Sequence, residues 1–152
     1  MDSIAKLYRE WATLGMLVQD PDLAPLWAVP PNVFVVPANR HKYGDKHFMV
    51  VKIGLRPPEP GRDEVWSVVR RTFEKILSAG LLQGLLGLQV VYNVWEGGPL
   101  GRAVLSVCTE TRQIRQLLGL SASELRTNDK PKGVMCTWDK DLEGKVIGGD
   151  RP

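Results

Sequence analysis

The sequence predicts an α+β fold: a mostly antiparallel, four-stranded sheet covered by helices on one face, with a small C-terminal helical and extended extension. Three observations predict it. "FMVVKIGL", residues 48–55, alternates, with Met49, Val51, Ile53 and Leu55 on one side and Phe48, Val50 and Lys52 on the other. Across the proline- and glycine-rich bend "RPPEPG" the apolar period changes from two to 3.6, which is a strand passing into a helix that packs back on its sheet. The order along the chain is helix, strand, strand, helix, strand, strand and then a short tail, which favours α+β over an alternating parallel design.

Each element has a local cause. Residues 3–18 have helical spacing in Ile4, Leu7, Tyr8, Trp11, Leu14, Leu17 and Val18, so these are expected to face the core. Lys6, Arg9, Glu10 and Thr13 fall on the other side, and Asp2 or Ser3 can cap the start. "DPDLAPLWAVPP" ends this helix, because proline cannot continue it. "NVFVVP", residues 32–37, is a short β-type run closed by proline, and a polar loop, "ANRHKYGDKH", joins it to 48–55 as a hairpin.

The central helix opens near Asp63, a plausible cap. It carries Trp66, Val69, Phe73, Ile76 and Leu77 as its apolar stripe, opposite Ser67, Arg70, Arg71, Glu74 and Lys75. "LQVVYNVWE" and "RAVLSVCTE", joined by the turn "EGGPLG", read as a second hairpin. "TRQIRQLLGL" is a short helix with Ile114, Leu117 and Leu118 inward. "SASELR" adds a helical turn, with Glu124 at capping-box spacing from Ser121. The tail from residue 132 holds two candidate short strands. Residues 1–110 therefore form the expected core domain. Residues 111–152 form a helical turn and extended tail, within that domain or as an arm at an interface.

Bulk properties exclude several classes. The chain has 152 residues, enough to bury roughly 70% of its unfolded surface without disulfide or metal staples. A net charge of +3 permits contact with nucleic acid or an acidic surface but does not require it. Two cysteines, Cys108 and Cys136, make no disulfide scaffold and are expected as reduced thiols. The charged start "MDSIAKLYRE" is not the pattern of a secretory leader. The most apolar stretch, "ILSAGLLQGLLGLQVV", is interrupted by three glycines and two glutamines, so no membrane span is expected.

No catalytic constellation emerges, and no enzyme, cofactor or metal is expected. His41, Asp45 and His47 share one loop, but spacing places no third strong ligand beside them, and a solvated loop is the plainer reading. Cys108 lies in an alternating strand, where a buried structural thiol is the ordinary outcome. The glycines of "GLLQGLLG" and "EGGPLG" are followed by no phosphate-loop lysine. Asp139, Asp141 and Glu143 cluster in a polar turn. Between Arg40 and Lys75 there are nine lysines and arginines against five acids, a solvated face or a lining for phosphates.

One segment supports an alternative. "TRQIRQLLGLSASELRTNDK" has the pattern of a helix–turn–helix, with Gly119 at the turn and Ser121 opening a recognition helix. On that reading Arg112, Arg115, Arg126 and Lys130 contact nucleic acid.

The segments "PPNVFVVP", "KHFMVVKIGLRPPEPGRDEVWSVVRRTFEKIL" and "LQVVYNVWEGGPLGRAVLSVCTE", following the first helix, give an element order that resembles the tail terminator and neck (head-to-tail joining) proteins of long-tailed bacteriophages. The likeness covers roughly residues 3–110 and rests on element order. It implies a non-enzymatic virion protein, assembled in the host cytoplasm. Copies would form a hexameric ring that caps the tail tube, meets the neck proteins and lets DNA pass through its centre. An exposed strand edge, residues 32–36 or 102–109, is then expected to join neighbouring subunits. The long basic loop 38–47 is expected to project into the pore or across a partner through Arg40, Lys42, Tyr43 and Lys46. The plainer reading of those four is solubility.

Overall fold

The computed structural model describes residues 1–57, 61–95, 101–125 and 134–139. The chain runs as α1 (Ser3–Gln19), β1 (Trp27–Pro37), α2 (Arg40–Tyr43), β2 (His47–Leu55), α3 (Arg62–Ser78), β3 (Gly87–Val94), β4 (Arg102–Glu110), α4 (Ile114–Leu118) and β5 (Val134–Trp138). Single 3-10 turns precede β1, link β4 to α4 and follow α4 at Ala122–Glu124. The α+β class is as expected, but the sheet has five strands in the order β1-β2-β3-β4-β5, and it is mixed. Strands β1–β2, β3–β4 and β4–β5 pair antiparallel, whereas β2 and β3 are parallel.

Both departures have physical reasons. A 17-residue helix between β2 and β3 carries the chain back to the end of the sheet where β2 began. The next strand must then run alongside β2 in the same direction. The fifth strand is one of the two candidates in the tail. It pairs Val107 with Cys136 and Leu105 with Trp138.

Parallel and antiparallel registers align the apolar residues in rows across the sheet. One row is Val35–Met49–Leu88–Thr109–Val134, and the next is Val33–Val51–Val90–Val107–Cys136. A third joins Ile53, Tyr92, Leu105 and Trp138. Against this face packs α3, with Trp66, Val69, Phe73 and Ile76 buried as its stripe predicts, Val65 buried beside them and Leu77, also expected inward, half-buried. Gly61, not Asp63, caps α3. Asp63 and Glu64 lie in its first turn and Lys75 in its last, complementing the helix dipole. α4 adds Ile114 and Leu117 to the same core. The turn after it closes a capping box between Ser121 and Glu124, as the spacing predicts.

Two boundaries shift. β1 begins at Trp27, five residues before the expected strand, and irregular pairing between Trp27 and Asn32 accommodates Pro30 and Pro31 at the sheet margin. In β4, Tyr92 pairs with Leu105 but Asn93 pairs with Ala103, so Val104 is an extra, bulged residue.

The first helix departs from its sequence reading at most of its stripe, although Leu17 is buried in the core as expected. Asp2 caps α1, its carboxylate accepting from the Ala5 N–H. Only Thr13 and Leu17 are fully buried. The side with Arg9, Glu10 and Thr13 faces the body, while Ile4, Leu7, Tyr8, Trp11 and Val18 face outward.

Candidate functional site

The inverted α1 is held by polar bonds. The Arg9 guanidinium donates to the Leu81 carbonyl at 2.6 Å, after the end of α3. The Thr13 hydroxyl reaches Met49 Sδ at 3.6 Å. Trp27 donates its indole N–H to the Leu17 carbonyl at 3.0 Å. Glu10 accepts the Val35 N–H at 2.7 Å. These contacts fix α1 on the α3 side of the sheet, along β1. The stripe on its other side stays in water: Ile4 is 82% exposed, and Tyr8 and Trp11 are each 70% exposed. Each large apolar side chain left in water forgoes roughly 1.5–3 kcal/mol that burial would supply.

The Glu10 contact also changes the sheet edge. β1 is the border strand, and alternation turns the peptide groups of Val33 and Val35 away from β2. A carboxylate from α1 already occupies the Val35 N–H. Pro37, at the end of the same border, has no N–H to offer. Residues 104–109 are not an edge, because β5 pairs along Leu105–Thr109 and the Asp139 N–H donates to the Val104 carbonyl. Of the two edges expected to join neighbours, one is interior and the other is partly sealed.

The sheet has a second face, opposite α1, α3 and α4. Its rows are Val36–Phe48–Gly87–Glu110, then Phe34–Val50–Gln89–Cys108–Met135, then Asn32–Lys52–Val91–Ser106–Thr137. Phe34, Val36, Phe48, Val91 and Cys108 are half-buried, and Met135 is 66% exposed. Gly87 keeps this face low. A Cβ there would lie 2.3 Å from the Phe48 ring and 2.2 Å from the Thr109 carbonyl oxygen. Gln89 donates to the Ser106 hydroxyl at 3.0 Å. A shallow cleft of about 370 Å³ lies at one end, between Asn32, Lys52, Gly54, Asn93 and Trp95.

The loop 38–47 is folded on itself, with most of its residues exposed. The Ala38 N–H donates to the Lys46 carbonyl, and the Asn39 carboxamide accepts from the N–H groups of His41 and Lys42 to start α2. Gly44, at φ +67°, turns the chain back towards β2. Tyr43 thereby meets Phe48 edge-on with ring centroids 6.5 Å apart, and Lys42 lies 5.2 Å from the Tyr43 ring centre. Arg40 is exposed, 4.0 Å from the Asp45 carboxylate. Of the four expected contact residues, α2 carries Arg40, Lys42 and Tyr43, beside Phe48 on the second sheet face. Lys46 departs from them. It lines a cleft of about 380 Å³ with Glu110, Thr111 and Arg112.

That cleft joins residues from the two separate sequence readings, since Arg112 belongs to the nucleic-acid alternative. Arg112 is held there by Glu110, at 2.9 and 3.1 Å. Arg115 is exposed on α4, a helix of five residues. The helix expected to open at Ser121 is a single 3-10 turn, and Leu125 is already extended. Glycine at 119 and serine at 121 make the local turn chemistry of a helix–turn–helix, but a helix long enough to lie in a groove needs more residues than 122–124 provide. Arg126 and Lys130 lie outside the described residues, as do Asp141 and Glu143.

The remaining reactive groups are dispersed. His47 Nδ1 lies 3.0 Å from the Asp45 carbonyl oxygen. Among the described residues, no three of histidine, cysteine, aspartate and glutamate converge. Cys108 and Cys136 are not in a disulfide, and their strand positions place them on opposite faces of the sheet. Burial pushes the Cys108 thiol up from its ordinary pKa, which keeps it protonated. Among the described residues, no helix is long and apolar enough to cross a membrane.

Helices on one face only, as the sequence reading has it, leave the second face without a helix among the described residues, and in β2 that face carries Phe48 and Val50 beside Lys52. No family model, curated protein or solved structure matches the chain.

Proposed function

We propose that the chain is a non-enzymatic assembly protein of the virion, a ring subunit of the tail-terminator kind that caps a phage tail tube and joins it to the neck. One observation carries the reading. α1 turns its apolar stripe, with Tyr8 and Trp11, away from its own core. An aromatic-bearing patch of this kind is the ordinary signature of a protein–protein interface. The order of α1, the β1–β2 hairpin, α3 and the β3–β4 hairpin is also the order on which the family resemblance rests. In the ring, Arg40, Lys42 and Tyr43 of α2 serve as subunit, partner or pore contacts.

The experiment is multi-angle light scattering across a concentration series, followed by negative-stain imaging. A discrete species several times the mass of the chain, seen as closed rings, is expected. A monomer at every concentration overturns the proposal. A monomer that shifts DNA with strong salt dependence transfers the assignment to the nucleic-acid alternative, for which the proximity of Lys46 and Arg112 is the supporting observation.

A further inference from the structure

We infer that the end of the sheet where β2 and β3 begin and β4 ends is a site for the sugar–phosphate backbone of a nucleic-acid duplex, bound without regard to base sequence. Three connections meet there. Pro37 pairs with His47, and Phe48, Gly87 and Glu110 stand in one row. The Leu86 N–H donates to the His47 carbonyl, and the Thr111 N–H to the Leu86 carbonyl, both at 2.8 Å. These bonds hold the loop 38–47, the segment 79–86 and the turn 110–115 side by side.

Their charge is concentrated. The three segments carry Arg40, Lys42, Lys46, Arg112 and Arg115 against Asp45 and Glu110, a surplus equal to the net charge of the whole chain, +3. All five cations are exposed. Another arrives from α1. Arg9 bonds the Leu81 carbonyl and lies next to Gly84, where a Cβ would stand 3.6 Å from its Nη2. The two acids neutralise little of this. Arg40 and Asp45 are only loosely paired, at 4.0 Å. Glu110 accepts from Nε and Nη2 of Arg112, which fixes the guanidinium and, among the described residues, leaves its Nη1 donors unbonded. A one-signed cluster at one end of a molecule is the electrostatic footprint of a polyanion site.

The layout selects the ligand. A small oxyanion needs converging donors, and here only Lys46 and Arg112 share a cleft, with Glu110 beside them. The cations are spread along the sheet end, from the β1–β2 connection to the turn after β4. Three strand spacings of about 4.8 Å make that row about 14 Å long. Phosphates on one strand of a duplex recur about every 3.4 Å along its axis, so the row spans about four of them. An acidic protein would have to supply carboxylates in a matching line, whereas every duplex supplies phosphates in one. The site uses no recognition helix, which the five residues of α4 and the single turn after it do not provide. Nothing in it needs a second copy of the chain, so it is independent of the ring.

Fluorescence anisotropy with a labelled DNA duplex of mixed sequence tests it on the wild type, Lys46→Glu, Arg112→Glu and Arg56→Glu. Arg56, exposed and just past the far end of β2, is the control, because its reversal changes the net charge equally at the opposite end of the sheet. Circular dichroism melts establish that each variant is folded as the wild type is. The wild type is expected to bind with a log–log salt slope of about −3 between about 50 and 200 mM salt, as for three to four phosphate contacts. Lys46→Glu and Arg112→Glu are each expected to weaken binding several-fold and to flatten the slope by about 1, with Arg56→Glu leaving both nearly unchanged. Loss in Lys46→Glu also separates this site from a helix–turn–helix, to which Lys46 does not belong. The inference fails if the wild type does not bind, if binding is insensitive to salt, if inorganic phosphate displaces the duplex at matched ionic strength, or if Arg56→Glu is as damaging as the other two. Light scattering on the same samples reports the ring separately: a monomer that binds in this way keeps the site and loses the ring, and a ring that does not bind keeps the ring and loses the site.

Discussion

Arg62 and Trp138 donate to the same acceptor, the carbonyl oxygen of Leu125, and the Arg62 guanidinium carbon lies 4.7 Å over the Trp138 ring. Both side chains are buried. The first residue of α3 and the last residue of β5 are thus locked together through the segment that follows α4. Trp66, one turn further along α3, adds a bond from its indole N–H to the Leu120 carbonyl at 2.9 Å. The described part of the C-terminal extension is tied to the central helix by two donors of α3, Arg62 and Trp66, while Trp138 bonds within the extension.

Truncating this clamp should therefore cost more than a surface change. Trp138→Ala removes a buried aromatic and a hydrogen bond, with an expected loss of about 3–5 kcal/mol. Arg62→Met keeps the volume but leaves the Leu125 carbonyl with one donor fewer, an expected loss of about 1–3 kcal/mol. Urea unfolding of both single variants and the double variant measures their coupling. Fully additive losses would contradict the shared acceptor and the ring contact.

Asp20 makes stability depend on acid. Burial by itself raises its pKa. The bond from Lys75 and the N–H groups of Asp22 and Leu23 outweigh that and hold the carboxyl below its ordinary value of 3.8. A depressed folded-state pKa stabilises above the unfolded value, and the benefit disappears as pH falls through the folded value. Asp20→Ala is expected to cost about 1 kcal/mol at pH 7, the scale of a lost cap. The gap between variant and wild type should shrink below about pH 4, the unfolded carboxylate range. Equal gaps at pH 7 and pH 2.5 in urea titrations would contradict the assignment.

Gly87 is a position where only the absence of a side chain fits. Gly87→Ala places a methyl against the Thr109 carbonyl oxygen and the Phe48 ring. The backbone oxygen cannot rotate away, so a destabilisation of about 1–3 kcal/mol is expected. Displacement of Phe48 should carry Tyr43 with it, since their rings touch. Thermal melts read the first effect, and changed aromatic NMR shifts of both rings read the second. Unchanged spectra would dissociate Gly87 from the α2 packing.

Glu10 guards the sheet margin. Glu10→Ala leaves the Val35 N–H without its carboxylate, and loss of a charge-assisted bond of this type costs about 1.5–3 kcal/mol. Hydrogen exchange at the Val35 amide is expected to accelerate, with greater aggregation on prolonged incubation. Glu10→Gln retains an acceptor and should recover part of the protection. An amide equally protected in both variants would show that α1 does not seal β1.

Local pattern was a sound guide wherever one element's chemistry determined the outcome. The stripe of α3 from Trp66 to Ile76 is buried as its spacing requires. The alternation of 48–55 places Met49, Val51, Ile53 and Leu55 on the core face. The capping box at Ser121 and Glu124 forms from residues three apart. Of the candidate contact residues, Arg40, Lys42 and Tyr43 do stay together, because one short loop carries them. Lys46, four positions from Lys42, leaves them for Arg112 because β2 begins next to it and fixes its direction.

What the chain's order could not contain was which surfaces meet. Periodicity marks α1 as two-sided but does not say which side its neighbours accept, and here bonds from Arg9, Glu10 and Thr13 to distant residues turn the apolar side out. The parallel join of β2 to β3 follows from where α3 lands, and the fifth strand follows from β4 having a border that Val134–Trp138 can pair. Each of these depends on contacts between residues far apart in sequence, and their free energy exists only once the sheet has assembled. The residue pattern therefore determined the elements and their class, while tertiary packing decided the sheet's composition and the orientation of α1.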